Sequence, residues 1–252
     1  MTGYIIDLDG TVYSGTLLID GAASFVNYLN KSLTPYVVLT NCPSRTRTEI
    51  ANYVGKMGIF VAEEKIVTSG MLAAMYLRDI GYTRIFILGG DALKQEVHDC
   101  GMTVCDDNPD AVLIGWDKDL TYKKLQTAFS LVREGKPFYS TNPDVIIPGT
   151  DCPQLHTGSF TVLLEKASGK KAFVLGKPSV LIWKYVLEKL GQECTPCVVG
   201  DTLEYDVQFA INNDAEAVLT LTGLTTREMI GDIASRVRVV DNLSQLIPDS
   251  FV

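Results

Sequence analysis

Short apolar runs alternate with amphipathic stretches of helical period along nearly the whole chain, and this alternation constrains the fold more than any other feature. Residues 4–6, 36–39, 84–88, 111–114, 137–139, 172–175, 197–199 and 217–221 read as strands. Residues 21–31, 46–57, 69–80, 91–100, 121–134, 159–168, 179–190 and 205–212 read as helices, and a helix, a strand and a helix close the chain. Repeated strand–helix units of this kind build an α/β fold around a parallel sheet. At 252 residues the chain can form one large or two small domains. The pattern changes dialect after Gly81, and Ser168-Gly169-Lys170-Lys171 is a polar break further on.

Charge narrows the partners. With 22 Lys and Arg against 30 Asp and Glu the net charge is −8, which repels nucleic acid and anionic membrane surfaces. An anionic ligand therefore needs positive charge supplied locally, by a metal or a placed lysine. No stretch reaches the roughly 18 apolar residues of a membrane span, and Met1-Thr2-Gly3-Tyr4 lacks the basic start of a signal peptide, so a cytoplasmic location is expected. The six cysteines are then expected to be reduced, and Cys194-x-x-Cys197 sits wrongly for a redox pair because Thr195-Pro196 leads into a strand.

Chemistry gathers at strand ends, where open α/β sheets bind ligands. The first strand runs into Asp7-Leu8-Asp9-Gly10-Thr11, the second into Thr40-Asn41, and two later strands into Gly176-Lys177-Pro178 and Gly200-Asp201. Carboxylates from Asp7 and Asp201, with a backbone carbonyl and waters, form a hard oxygen set suited to Mg²⁺. Lys177 adds a positive charge, and Thr40 and Asn41 add hydroxyl and amide donors. A metal-centred anion site of this make-up fits a phosphate and makes phosphoryl transfer the expected reaction class. Asp7, held ionised by the metal, suits attack on phosphorus; Asp9, two residues on and raised toward neutrality by anionic neighbours, suits proton transfer.

These motifs resemble the haloacid dehalogenase superfamily: Asp7-x-Asp9-Gly10-Thr11, Thr40, Lys177, and Gly200-Asp201 with Asp206. The runs Leu39-Thr40-Asn41-x-Pro43-Ser44, Ser140-Thr141-Asn142-Pro143-Asp144 and Gly176-Lys177-Pro178-Ser179 are similar to those of the NagD-type phosphatases. The resemblance implies a doubly wound, Rossmann-like parallel-sheet core in residues 1–80 and 172–252, with an α/β cap inserted at 81–171. It implies Asp7 as nucleophile and metal ligand, and Asp9 as general acid and base with its carbonyl on Mg²⁺. Asp201 and Asp206 would complete the metal set, and Thr40, Asn41, Lys177 and the backbone N–H groups of Leu8 and Asp9 would hold phosphate.

The cap is implied to choose the substrate, with Asn142, Asp144 and His156 as candidates and Ser159 beside them. The expected activity is hydrolysis of a small phosphomonoester, a nucleoside monophosphate or sugar phosphate, through an aspartyl-phosphate, and a homodimer fits the pattern. Two other readings share the fold: a C-halogen hydrolase, disfavoured by Asp9 and Gly200-Asp201, and a non-catalytic phosphate-binding or regulatory protein. The chain departs from the family pattern at Cys42, where relatives often carry Asn, and at Tyr205, where they often carry Thr.

Overall fold

A computed structural model describes residues 1–147, 152, 154–191 and 193–251. The elements run β1 (Thr2–Ile6), β2 (Tyr13–Ser14), β3 (Leu17–Leu18), α1 (Ala22–Lys31), β4 (Tyr36–Thr40), α2 (Arg47–Lys56), β5 (Ile66–Thr68), α3 (Ser69–Asp79) and β6 (Arg84–Leu88). They continue with α4 (Asp91–Asp99), β7 (Thr103–Val104), β8 (Ala111–Ile114), α5 (Tyr122–Arg133), β9 (Phe138–Ser140), β10 (Ile146–Ile147), β11 (Gln154–Leu155), α6 (Thr157–Ser168) and β12 (Phe173–Val174). The last stretch holds α7 (Trp183–Leu190), β13 (Thr195–Gly200), α8 (Gln208–Asn212), β14 (Glu216–Thr220) and β15 (Arg238–Val240). None of the described helices is long and apolar enough to cross a membrane.

The chain divides into two compact units, one made of Met1–Thr40, Arg47–Val67 and Pro178–Val252, the other of Asn41–Thr46 and Thr68–Lys177. The first carries a six-stranded sheet in the order β15-β14-β13-β1-β4-β5. The pairings of β1 with β13 and β4, of β13 with β14 and of β14 with β15 are all parallel. All five residues of β4 are buried, as a parallel strand covered on both faces requires. Chain order runs outward from β1 through β4 to β5 on one side and from β13 to β15 on the other. The reversal falls between β1 and β13, and at such a switch point the loops after two adjacent strands separate and leave a crevice. Ile6, Leu8, Phe25, Val38, Val54, Val199, Val218 and Leu243 belong to the core beneath it.

The second unit has its own five-stranded sheet, β12-β9-β8-β6-β7, again parallel in every pairing. Phe86, Leu88, Val112, Ile114, Val132, Phe138 and Leu164 make a separate core. The Thr121 hydroxyl caps α5 by accepting from the Lys124 N–H at 3.2 Å, and Gly169 ends α6 at φ +70°, a conformation costly for any residue with a Cβ. Besides residues 81–171 this unit takes in α3 and the segments 41–46 and 172–177. The approach of α3 to α4 explains the first addition, since a Cβ on Gly70 would stand 3.1 Å from Leu93 and 3.6 Å from Pro43.

The short strands β5 and β7 and the ribbons β2–β3 and β10–β11 are absent from the sequence reading, because two or three residues carry no periodicity. The helices expected at the end of the chain are 3₁₀ turns at Arg227–Met229, Gly231–Ser235, Leu243–Leu246 and Asp249–Phe251.

Ile5 lies at the centre of the first sheet, level with Val198 on β13 and Val37 on β4 and without exposed surface. The variant Ile5→Ala is expected to lose about 2 to 5 kcal/mol of stability, read from the denaturant midpoint of the first unit.

Candidate active site

β1 delivers Asp7 to the switch point. Its N–H still donates to the Val199 carbonyl at 2.8 Å, so the strand geometry persists one residue past Ile6 and fixes where the carboxylate starts. Past it the chain turns sharply: the Leu8 carbonyl accepts from the N–H groups of Thr11, Val12 and Tyr13, and Gly10 adopts φ +89°. The Leu8 side chain is buried in the core, so only its main chain can serve a ligand. Asp9 is exposed.

β13 delivers Gly200 and Asp201. Asp201 is 98% buried, and its carboxylate accepts from the Leu224 N–H at 2.8 Å. Two glycines flank it: a Cβ on Gly10 would stand 2.5 Å from Asp201 Oδ2, and one on Gly223 would stand closer still. Gly10 is fastened in turn by the Thr222 hydroxyl, which donates to its carbonyl at 2.6 Å. Asp206 is equally buried and sits in a π-helical turn, Leu203–Val207, where the sequence suggests ordinary helix from Tyr205 onward. Thr202 makes that turn. Its N–H and hydroxyl both donate to Asp206 Oδ2, at 3.1 and 2.6 Å, while the hydroxyl accepts from the Asp206 N–H at 3.2 Å. Gly200 leaves the room, because a Cβ there would overlap the Asp206 carboxyl carbon. Sequence reasoning passed over Thr202, Thr222 and Gly223; Thr202 stands four residues before Asp206, one more than the spacing of a capping box, so no familiar motif marks it.

The outcome is one group of carboxylates. Oxygens of Asp7, Asp201 and Asp206 lie within 4.8 Å of one another, and the Asp9 carboxylate is outside the group. Three carboxylates so close and so poorly hydrated repel one another strongly, and a bound cation is the ordinary physical remedy. The donor set is all oxygen and the glycine-lined cradle around Asp201 excludes other side chains, which suits a hard divalent cation. Thr40 ends β4, beside β1, and is 96% buried.

In the second unit the structure ties other expected residues together. The Asn41 carboxamide donates to the Lys177 carbonyl at 3.1 Å and accepts from the Lys177 N–H at 2.9 Å. The Asn41 carbonyl accepts from Ser69 Oγ at 2.8 Å and from Asn142 Nδ2 at 2.7 Å. Lys177 is 2% exposed and Asn142 has no exposed surface. Asn142 Oδ1 also receives the Asp144 N–H at 3.1 Å, and Nδ2 lies within 3.3 Å of the Thr141 and Thr157 hydroxyls. Asp144 itself is half-buried. Cys42 makes a 2.9 Å contact from its thiol to the Ser44 hydroxyl.

His156 is 1% exposed and its ring centroid is 5.1 Å from that of Trp116. Neither ring nitrogen makes a well-formed hydrogen bond among the described residues. Burial drives its pKa down to about 4, with the Asp144 backbone weakly favouring the charged form. The unfolded chain, with an ordinary value near 6.5, therefore takes up this proton first as pH falls. The stability tied to neutral His156 is present above about pH 6.5 and is lost as pH drops to 4. Wild type is expected to lose up to about 3 kcal/mol more than His156→Phe across that window, measured by urea unfolding at a series of pH values.

Family models described as haloacid dehalogenase-like hydrolase and HAD-hydrolase-like match residues 4–103 and 174–246. The chain is 38% identical over 229 residues to an acid sugar phosphatase of Staphylococcus haemolyticus, covering 90% of this chain and 87% of that protein. It is 32% identical over 249 residues to the 5'-nucleotidase YutF of Bacillus subtilis, covering 98% and 97%. Among solved structures, NagD from E. coli K-12 superposes with a TM-score of 0.91 at 30% identity, covering 97% of this chain and 98% of that one. On these likenesses the chain belongs to the haloacid dehalogenase-like hydrolases and is a NagD-like phosphatase.

Proposed function

We propose that this phosphatase is a Mg²⁺-dependent phosphomonoesterase that acts through an aspartyl-phosphate on Asp7. The observation that carries the reading is the convergence of Asp7, Asp201 and Asp206 within 4.8 Å at the carboxyl edge of the first sheet. When bound there, Mg²⁺ supplies charge neutralisation for the phosphoryl oxygens and keeps Asp7 ionised. A carboxylate oxygen of Asp7 attacks phosphorus as the bond from phosphorus to the leaving oxygen breaks, and Asp9 gives that oxygen its proton. Asp9, now ionised, takes a proton from water; the water oxygen attacks phosphorus and the bond to Asp7 breaks, releasing inorganic phosphate. The place of Asp9 outside the carboxylate group, off the metal, supports this division of labour.

The phosphate in this reading is held by the Thr40 hydroxyl, the Lys177 ammonium and the main-chain N–H groups of Leu8 and Asp9, and Asn41 serves through its pairing with Lys177. The main-chain carbonyl of Asp9 joins the three carboxylates in holding the metal. The substrate in this reading is a small phosphorylated metabolite, a sugar phosphate or a nucleoside monophosphate, and relatives named as an acid sugar phosphatase and a 5'-nucleotidase support it. Residues 81–171 form the substrate-selecting cap. Within it Asp144, half-buried, is the candidate for direct contact with the leaving group, while buried Asn142 and His156 set the shape of its loop.

Phosphate release should be assayed on p-nitrophenyl phosphate, sugar phosphates and nucleoside monophosphates, with Mg²⁺ and with chelator. Release is expected to require Mg²⁺, to vanish in Asp7→Asn, and to fall by about 10² to 10⁴ in kcat in Asp9→Asn. Turnover that persists in chelator, or in Asp7→Asn, overturns the mechanism.

A further inference from the structure

We infer that Asn41 is the positioning residue of Lys177: its carboxamide pairs with both backbone groups of that lysine, holding the main chain from which the buried ammonium extends. The inference deepens the proposed function and rests on its reading of Lys177 as a phosphate ligand.

β12 runs out just before the lysine. The ladder between β12 and β9 continues as far as the Leu175 N–H, which donates to the Ser140 carbonyl at 2.8 Å. At Lys177 the Asn41 side chain takes over, accepting the N–H at 2.9 Å and donating to the carbonyl at 3.1 Å. A primary amide can match both groups of one residue because it carries a donor and an acceptor side by side, as a neighbouring strand would. Gly176 leaves room on both sides, since a Cβ there would stand 2.4 Å from the Thr141 carbonyl oxygen and 2.7 Å from Asn41 Oδ1.

Asn41 is itself anchored from behind. Its carbonyl receives the Ser69 hydroxyl and the Asn142 amide, and neither donor has exposed surface. Two donors use both lone pairs of that carbonyl, so the start of α3 and the loop after β9 together fix the main chain at position 41. Every hydrogen bond found for the Asn41 carboxamide goes to Lys177. The residue therefore transmits the placement of residues 69 and 142 to the lysine. Misplacing a charged ligand by a fraction of an ångström is costly in such a site.

The test is a double-mutant cycle on Asn41 and Lys177, read by calorimetric titration of inorganic phosphate in the presence of Mg²⁺, with Mg²⁺ affinity and thermal midpoint measured alongside. Asn41→Ala is expected to weaken phosphate by about tenfold or more, Lys177→Ala by at least as much, and the double variant no more than Lys177→Ala alone. Mg²⁺ affinity should not change in Asn41→Ala, because Asn41 is not one of the carboxylates proposed to hold the metal. Asn41→Leu, close in size and without charge but unable to pair with either main-chain group of Lys177, should reproduce the phosphate loss and serve where Asn41→Ala does not fold.

Additive losses in the double variant would show that Asn41 donates to phosphate directly and would overturn the inference, as would wild-type phosphate affinity in Asn41→Ala. Loss of phosphate and Mg²⁺ affinity together with the thermal midpoint would reduce Asn41 to a general structural role and overturn it too. Wild type that binds phosphate without turning over any phosphomonoester overturns the proposed activity while the cycle still decides the role of Asn41. Wild type that does neither overturns both.

Discussion

Mutual repulsion among three carboxylates is the constraint around which the first unit is built. Asp7, Asp201 and Asp206 approach within 4.8 Å, and the last two are almost without solvent. Like charges this close repel one another, and left alone such a group would spread apart. The chain prevents spreading by mechanical means: Asp7 stays on the ladder with Val199, Asp201 is walled by Gly10 and Gly223, and Asp206 is locked by Thr202 in a π turn. A group held this rigidly in an unfavourable arrangement is prepared for a divalent cation, and with it for an anion that the overall charge of −8 would otherwise turn away.

The glycines of this region follow from the same requirement. Gly10 needs φ +89° and also must not carry a Cβ, which would strike Asp201. Gly200 is constrained only by proximity, to Asp206. A similar economy operates in the second unit, where Gly176 admits the Asn41 carboxamide to the Lys177 main chain. In each case the absent side chain makes room for a polar group whose placement matters more than local helix or strand propensity.

Much of the candidate site is legible in the sequence because open α/β folds bind ligands where strands end. The apolar runs before Asp7, Thr40 and Asp201 therefore locate those residues before any coordinates exist. Asp206 was readable only by resemblance, since its carboxylate reaches the group through a π turn that no helical periodicity announces. The role of Asn41 was not readable at all. Its motif marks it as a donor at a strand end, whereas its carboxamide is occupied by a residue 136 positions away. His156 was likewise a loop residue by pattern, and its burial against Trp116 belongs to packing alone.

The sequence by itself determined the α/β class, the order of most strands and helices, and which residue types stand at the strand ends, because periodicity and turn chemistry are local properties. Only the tertiary structure decided that β13 lies beside β1, so that Asp201 faces Asp7, and that Lys177 is clasped by Asn41. Those juxtapositions depend on which strands pair across long stretches of chain, and the energy selecting them comes from burying whole sheet faces rather than from any short segment.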